Sequence, residues 1–180
     1  MSTSTGSDPR VDGYAAALLE VARAEGLLER VSDELFRFAR AYEGNDQLRQ
    51  TLTDQELPPE LRMGIVEELL GGKASPLTAT LVSFVVGVGR ARYLVDIVDR
   101  LVERAEAERG REVAEVRSAV PLDDAEQARL GKALSKSLKK QVSVKVVVDP
   151  SLMGGVVARV GDTVIDGSVR HRLDKLREVI

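Results

Sequence analysis

The spacing of apolar residues changes once along this 180-residue chain, near residue 110, and the change limits the folds open to it. Before that point apolar residues recur every three or four positions, as in helices that bury one face. After it, β-branched residues alternate with polar ones, as in strands. We therefore predict an α+β protein, with an N-terminal all-α six-helix bundle over residues 9–109 and a small C-terminal α/β domain over residues 110–180.

The predicted helices of the first part are bounded by caps and breakers. Asp8-Pro9 supplies an N-cap and a proline at the first helical position. In the fourth helix, Leu61, Ile65 and Leu69 share one face. The fifth helix, residues 77–88, is apolar on most of its circumference, so we expect it at the centre of the bundle. The sixth helix directs four apolar residues inward: Leu94, Ile97, Leu101 and Ala105.

The second part has the predicted order β-α-β-β-β-α, which favours helices packed on a small mixed sheet. The first strand ends before Pro121, and Asp123 or Asp124 caps the helix that follows. The four predicted strands cover residues 113–120, 141–148, 156–160 and 163–165.

Turn residues punctuate the last part of the chain. Gly154 and Gly155 permit a positive φ or a close backbone approach. Gly161-Asp162 is typical of a two-residue hairpin turn. The segment Asp166-Gly167-Ser168 predicts a turn in which Ser168 caps the last helix, and Leu173 lies on the face by which that helix docks. These residues indicate a scaffold rather than a reactive site.

The candidate catalytic and cofactor motifs are all incomplete. The chain has no cysteine and a single histidine, His171, which excludes thiol chemistry and multi-histidine metal sites. Gly71-Gly72-Lys73 lacks the Ser or Thr of a phosphate loop, and Gly87-Val88-Gly89 lacks the third glycine of a dinucleotide loop. Ser168 and His171 have no orienting third group. We expect no catalytic residue, no cofactor and no metal.

Charge and hydropathy favour a protein that reaches a membrane only through partners. Residues 1–110 carry a net charge of −6 and residues 111–180 one of +3. The longest apolar run, residues 81–88, is far shorter than the ~20 residues of a spanning helix. Residues 1–8 lack the features of a signal peptide, and we expect them to form a disordered leader.

The C-terminal pattern of glycines, acids and apolar residues resembles the signature of the delta subunit of F-type ATP synthases, which is called oligomycin-sensitivity-conferring protein in mitochondria. The resemblance continues in Tyr14-Ala15-x-Ala17-Leu18, in Gly89-Arg90 and in Asp149-Pro150. It departs at Val88, where the family often has Asn. The matching C-terminal residues are Gly154, Gly155, Gly161, Asp162, Val164, Ile165, Asp166, Gly167, Ser168, Val169, Leu173 and Leu176.

The resemblance implies a non-catalytic subunit of the peripheral stalk, present once per complex on the cytoplasmic face of a bacterial cell membrane. In that family the helical domain grips the N-terminal helix of an alpha subunit, and the C-terminal domain holds the far end of the b subunit. Such a joint resists rotor torque during proton-driven ATP synthesis. It implies no nucleic-acid partner. The residues expected to border the alpha-subunit helix are Tyr14, Ala15, Leu18, Leu77, Leu81 and Val85.

A row of lysines leaves an alternative function open. Lys132, Lys136, Lys139 and Lys140 are predicted on one helix, and this basic face favours a nucleic-acid-binding or regulatory adaptor. The chain has no aromatic residue after Tyr93, however, and single-stranded nucleic acid is usually bound by stacking on aromatics. A solvated helix face is the simpler interpretation. A steeply salt-dependent affinity for RNA or DNA would support the alternative.

Overall fold

The computed structural model describes residues 8–167, which divide into a helical unit that ends at Ala105 and a second unit that begins at Glu106. The sequence placed this boundary a few residues later, near 108–111. The difference arises because the sixth helix continues through Glu108, so helical periodicity persists past the division. Most of the predicted leader lies outside the described residues.

Six α-helices precede the sheet, as predicted, and side-chain caps begin several of them. Asp8 accepts a hydrogen bond from Arg10 N at 2.9 Å at the start of the first helix. Asn45 does the same for Leu48 N at 2.9 Å at the start of the third. The helices are α1 Pro9–Ala24, α2 Leu28–Glu43, α3 Asp46–Thr53, α4 Pro59–Leu70, α5 Pro76–Gly87 and α6 Leu94–Glu108, and a 3₁₀ turn at Ala91–Tyr93 leads into α6.

The core of the helical unit is mainly aliphatic, and three aromatic residues of α2, Phe36, Phe38 and Tyr42, are buried in it as well. The predicted inward face of α6 is confirmed, since Leu94, Ile97, Leu101 and Ala105 are all buried. Each of the leucine and isoleucine side chains contributes roughly 1.5–3 kcal/mol by leaving water. The hydroxyl of Tyr42 donates a hydrogen bond to the carbonyl oxygen of Ala91 at 2.9 Å. Burial raises the pKa of the Tyr42 hydroxyl, so this group stays a donor.

Two helices turn an apolar face towards solvent. In α4 the buried residues are Arg62, Val66 and Leu70, while Leu61 is 59% exposed and Leu69 is 38% exposed. The helix α5 lies less centrally than expected, because Phe84 is 46% exposed. Both helices are apolar on more than one face, so their spacing alone does not determine which face packs inward.

The second unit has the predicted mixed sheet. Strand β1 lies parallel to β2 and antiparallel to β3, and β3 lies antiparallel to β4, giving the order β2-β1-β3-β4. The helix α7 makes the crossover that a parallel pair requires. The predicted last helix lies outside the described residues. The elements are β1 Glu112–Ser118, α7 Asp124–Leu138, β2 Val142–Val148, β3 Val156–Val160 and β4 Thr163–Asp166.

The core of the second unit lies between α7 and one face of the sheet. Leu134 of α7 packs against Val116 and Ala158, which sit opposite each other on β1 and β3. A capping box fixes the start of α7, in which Asp123 accepts from Glu126 N at 2.7 Å and Glu126 accepts from Asp123 N at 2.9 Å.

The glycine signature supports the turns of this sheet. Gly161 adopts φ +54° in the β3–β4 hairpin beside Asp162, and Gly154 and Gly155 adopt φ +127° and +78° before β3. Gly167 follows Asp166, the last residue of β4. A Cβ at Gly167 would lie 3.2 Å from the carbonyl oxygen of Val156. The predicted roles of Ser168 and Leu173 fall outside the described residues.

Candidate functional site

Four of the six predicted partner-contacting residues are buried within the helical unit. Ala15 and Leu18 of α1 are 0% and 3% exposed, and Leu81 and Val85 of α5 are 5% and 2% exposed. The other two, Tyr14 and Leu77, are half-buried. The buried four belong to the core, and a glutamate at Leu18 or Leu81 would place a charge there. Their part in partner binding stays a prediction, and a test has to use exposed residues.

Tyr14 and Leu77, together with exposed apolar residues of the same two helices, form what we call the α1–α5 strip. Its α1 residues, Tyr14, Ala17 and Val21, are three and four positions apart. Its α5 residues, Leu77, Phe84 and Val88, are seven and four positions apart, so each set lies on one face of its helix. The rings of Tyr14 and Phe84 meet across the two helices, with centroids 6.2 Å apart and planes tilted by 54°. The strip consists of Tyr14, Ala17, Val21, Leu77, Phe84 and Val88.

The α1–α5 strip has the character of a binding surface. Val21, Phe84 and Val88 are each between 43% and 46% exposed, and contiguous exposed apolar residues usually mark an interaction site. Two helices with apolar residues along adjoining faces offer the surface into which the apolar face of a third helix fits. The strip is therefore a candidate surface for the apolar face of a partner helix.

The sequence missed Phe84, Val88 and Val21 as candidate contacts, although a signal for two of them was present. Leu77, Leu81, Phe84 and Val88 recur at four, three and four, which defines one stripe along α5. Because α5 is apolar on almost every side, the stripe did not stand out from the residues that pack inward.

A buried carboxylate of α2 fixes the start of α5. Glu34 is 8% exposed, and its Oε2 accepts hydrogen bonds from Ser75 N at 2.8 Å and from Thr78 Oγ1 at 2.6 Å. Arg30 Nε donates to the other carboxylate oxygen at 2.8 Å. Ser75 Oγ caps the same helix by accepting from Thr78 N at 3.2 Å. The carboxylate lies where the dipole of α5 favours negative charge.

The hydrogen bonds to Glu34 control its protonation. Burial by itself raises the pKa of this carboxyl, but the bonds from Thr78, Arg30 and Ser75 outweigh burial and lower the pKa from 4.5 to about 2. The group is therefore ionised throughout the physiological pH range. A fixed charge at this point orders the first turn of α5, which begins the face that carries the strip.

Ion pairs fix α1 on α6. Asp12 Oδ1 lies 3.2 Å from Arg100 Nε and 3.1 Å from Arg104 Nη2. All three side chains are between 31% and 40% exposed, so solvent screens the pairs and each contributes little free energy. The pairs orient α1 more than they stabilise it.

The second unit has a smaller apolar surface, which we call the sheet-end cluster. It consists of Val120, Val148 and Met153, which are 60%, 46% and 79% exposed. Val148 pairs with Ser118 at the end of the parallel ladder, and Asp149 N donates to the Ser118 carbonyl oxygen at 2.8 Å. Hydrogen bonds from Ser151 to the Asp149 carboxylate lower its pKa and order the turn that follows β2.

The predicted basic row does not lie on one helix. The helix α7 ends at Leu138, and Lys139 adopts a left-handed conformation with φ 55° at its C-cap. Lys140 forms an ion pair with Glu112 at 2.7 Å. Lys132 and Lys136 remain as exposed cations on α7 itself. Two of the four predicted lysines, Lys139 and Lys140, therefore lie outside α7, and the basic face on which the nucleic-acid alternative depended is half as large as expected.

Residues 8–167 contain neither a candidate metal-binding cluster nor a helix that could span a membrane. Within this range no group of three or more histidines, cysteines and acids has the arrangement of a metal site. No helix in the same part of the chain is both long enough and apolar enough to cross a membrane.

Comparison with known proteins identifies relatives along almost the whole chain. The sequence model of the family described as "ATP synthase delta (OSCP) subunit" matches residues 11–180. The ATP synthase subunit delta of Salinispora arenicola is 44% identical over 165 residues, which cover 92% of this chain and 60% of the relative. That of Frankia alni is 44% identical over 167 residues, which cover 91% of this chain and 59% of the relative. The chain thus spans about three-fifths of the length of these relatives.

The fold is also found among solved structures. A chain of the mitochondrial ATP synthase hexamer of Toxoplasma gondii aligns with a TM-score of 0.57 at 23% sequence identity. The alignment covers 93% of this chain and 95% of that one, so the likeness includes helices and sheet together.

Proposed function

The chain belongs to the ATP synthase delta (OSCP) subunit family, and we propose from this that it is a non-catalytic subunit of the peripheral stalk of an F-type ATP synthase. The helical unit binds the N-terminal helix of an alpha subunit, and the second unit binds the far end of the b subunit. One copy serves each complex, on the cytoplasmic face of a bacterial cell membrane. Its attachment to that membrane is peripheral and goes through the b subunit.

The proposed action is mechanical. Proton flow turns a central rotor, and the rotation drives ATP synthesis only when the catalytic head is held against it. A subunit that links the head to a membrane-anchored stalk supplies the counter-torque. Such a link requires a firm attachment at each end and a rigid body behind each attachment.

The observation that carries the proposal is the α1–α5 strip. An exposed phenylalanine in contact with a half-buried tyrosine, together with the exposed Val21 and Val88, offers apolar surface to an amphipathic helix. Aromatic residues at the centre of an interface contribute most to affinity, often about 2 kcal/mol or more each. The buried Glu34 supports this surface, because it holds the start of α5 in place.

Calorimetric titration with a peptide of the alpha-subunit N-terminus tests the first attachment. We expect one-to-one binding with a negative heat-capacity change, since apolar surface is buried. Phe84→Ser should weaken binding roughly 30-fold, the equivalent of about 2 kcal/mol. Leu61→Ser is the matched control, because Leu61 of α4 is also exposed and apolar, at 59%, but lies outside the strip. Equal losses in both variants, or no binding to the folded wild type, would contradict the proposal.

The sheet-end cluster is the candidate surface for the b subunit. Its three apolar side chains are exposed together at one end of the sheet, where β1 and β2 terminate. Val148→Asp should abolish binding of a C-terminal b-subunit peptide, since burying an unpaired carboxylate is costly. Val164→Asp provides the control, because Val164 is 61% exposed on β4, away from that end. If only the control variant lost binding, the surface would have been assigned wrongly.

A further inference from the structure

A second apolar surface lies on α4, and it shares no residue with the α1–α5 strip. Leu61, Ile65 and Leu69 are spaced four apart and form a ridge along the helix, which we call the α4 ridge. Leu61 is 59% exposed, Leu69 is 38% exposed and Ile65 is half-buried. The residues of α4 that pack into the bundle are Arg62, Val66 and Leu70. Most of the surface of the ridge therefore does not pack against the rest of the helical unit.

The α4 ridge ends at a pocket of about 360 Å³, for which Leu69 forms part of the wall. The apolar lining comes from α2, α3 and the end of α4, through Phe38, Ala41, Leu48 and Leu70. The volume falls in the range of small binding clefts, about 300–1,000 Å³. A bulky apolar side chain entering beside Leu69 would bury part of its surface against this lining.

Two cations line the same pocket without a carboxylate partner. Within residues 8–167 neither Arg37 nor Lys73 forms an ion pair, and Arg37 makes only a long hydrogen bond of 3.4 Å to the Asp33 carbonyl oxygen. The lining carboxylate, Glu34, is already occupied by Arg30, Ser75 and Thr78. The pocket therefore has free positive charge, although residues 1–110 carry a net charge of −6.

We propose that the α4 ridge and this pocket form a docking surface for an acidic amphipathic helix of a partner protein. Apolar residues of that helix lie along Leu61, Ile65 and Leu69, one bulky side chain enters the pocket, and a carboxylate pairs with Arg37 and Lys73. Anchors repeated every turn along a ridge are the way in which helices recognise grooves. The unpaired cations select an acidic helix over a basic one. The surface does not depend on the attachments proposed for the alpha and b subunits.

A second copy of this chain fits the surface less well. Pairing two α4 ridges would bury about three side chains from each copy, well short of the roughly 1,200 Å² of a stable interface.

Two stapled helical peptides test the proposal by fluorescence polarisation. Both carry three leucines spaced four apart and one phenylalanine. The acidic peptide has two glutamates beside the phenylalanine, and the basic peptide has two lysines there. We expect the acidic peptide to bind the wild type at least roughly tenfold more tightly than the basic one. The double variant Arg37→Glu with Lys73→Glu should reverse this preference. The pair Lys132→Glu and Lys136→Glu, exposed cations of α7, should leave it unchanged.

Further variants separate docking from folding and from the proposed function. Leu61→Ser should lower the affinity for the acidic peptide roughly tenfold. Tyrosine fluorescence should not change, because Leu61 is exposed and its replacement leaves the fold intact. Phe84→Ser should leave the affinity of this peptide unchanged, whether or not it affects the alpha-subunit peptide. Equal affinity for the two peptides, or no reversal in the double variant, would overturn the proposal. A dimer seen in sedimentation and abolished by Leu61→Ser would assign the ridge to a second copy and overturn it as well.

Discussion

Replacing Glu34 by glutamine tests whether a buried charge holds α5 in place. The carboxyl has a pKa of about 2 in the folded protein against 4.5 as its ordinary value. One pKa unit corresponds to about 1.36 kcal/mol, so the ionised group contributes roughly 3 kcal/mol to folding. Because the folded pKa is the lower one, this contribution is fully present above pH 4.5 and is lost as the pH falls towards 2. Glu34→Gln should therefore destabilise the helical unit at pH 7 by roughly that amount.

Urea titrations followed by tyrosine fluorescence measure this contribution. The three tyrosines of the chain, Tyr14, Tyr42 and Tyr93, all lie in the helical unit, so the signal reports on that unit alone. The free energy of unfolding of the wild type should fall with pH below 4.5 more steeply than that of Glu34→Gln. The two values should converge as the pH approaches the folded pKa of about 2.

An exposed carboxylate serves as the control for Glu34. Glu20 forms a surface ion pair with Arg23 and is 64% exposed, so Glu20→Gln should change the free energy of unfolding by less than about 1 kcal/mol at any pH. Parallel pH dependences for the wild type and Glu34→Gln would refute the argument, because the hydrogen bonds from Ser75 and Thr78 would then not favour the charged form.

Three other substitutions have expected outcomes. Gly13→Ala should stabilise the helical unit by about 1 kcal/mol in urea titrations, because Gly13 is exposed within α1 and a Cβ there has no atom within 4 Å. Tyr42→Phe should lower the unfolding midpoint and cost about 1 kcal/mol, since the buried carbonyl of Ala91 loses its donor. Gly167→Val should speed amide hydrogen exchange in β3 and β4, because the new Cβ meets the Val156 carbonyl oxygen at 3.2 Å; unchanged exchange would show that the sheet accommodates the side chain.

The parts of the fold that the sequence predicted well are those with a single apolar face. In α6 every inward residue was expected, because the opposite face is charged and only one packing is possible. The mixed sheet followed from the alternation in β1 and from the β-branched run of β2, which needs cover on its inner face. The turn at Gly161-Asp162 followed from dipeptide chemistry.

The sequence could not predict which side of a helix packs inward where the helix is apolar on more than one face, as α4 and α5 are. The helix α4 buries Arg62 and exposes Leu61, the reverse of what hydrophobicity favours, because the neighbouring helices and not α4 itself decide its orientation. The same holds for Phe84 of α5. The cap that Glu34 provides to α5 is also not predictable from the sequence, since Ser75 and Thr78, which donate to it from that helix, lie more than forty residues away along the chain.

A chemical-shift map of the labelled protein with the N-terminal peptide of the alpha subunit would show directly whether that helix binds the α1–α5 strip. We expect the amides of α4 to be almost unaffected and the largest changes to fall on Tyr14, Ala17, Val21, Phe84 and Val88. Changes centred on α2, α3 and α4 instead, with the α1–α5 strip unchanged, would contradict this expectation and would place the alpha-subunit helix on the other apolar surface.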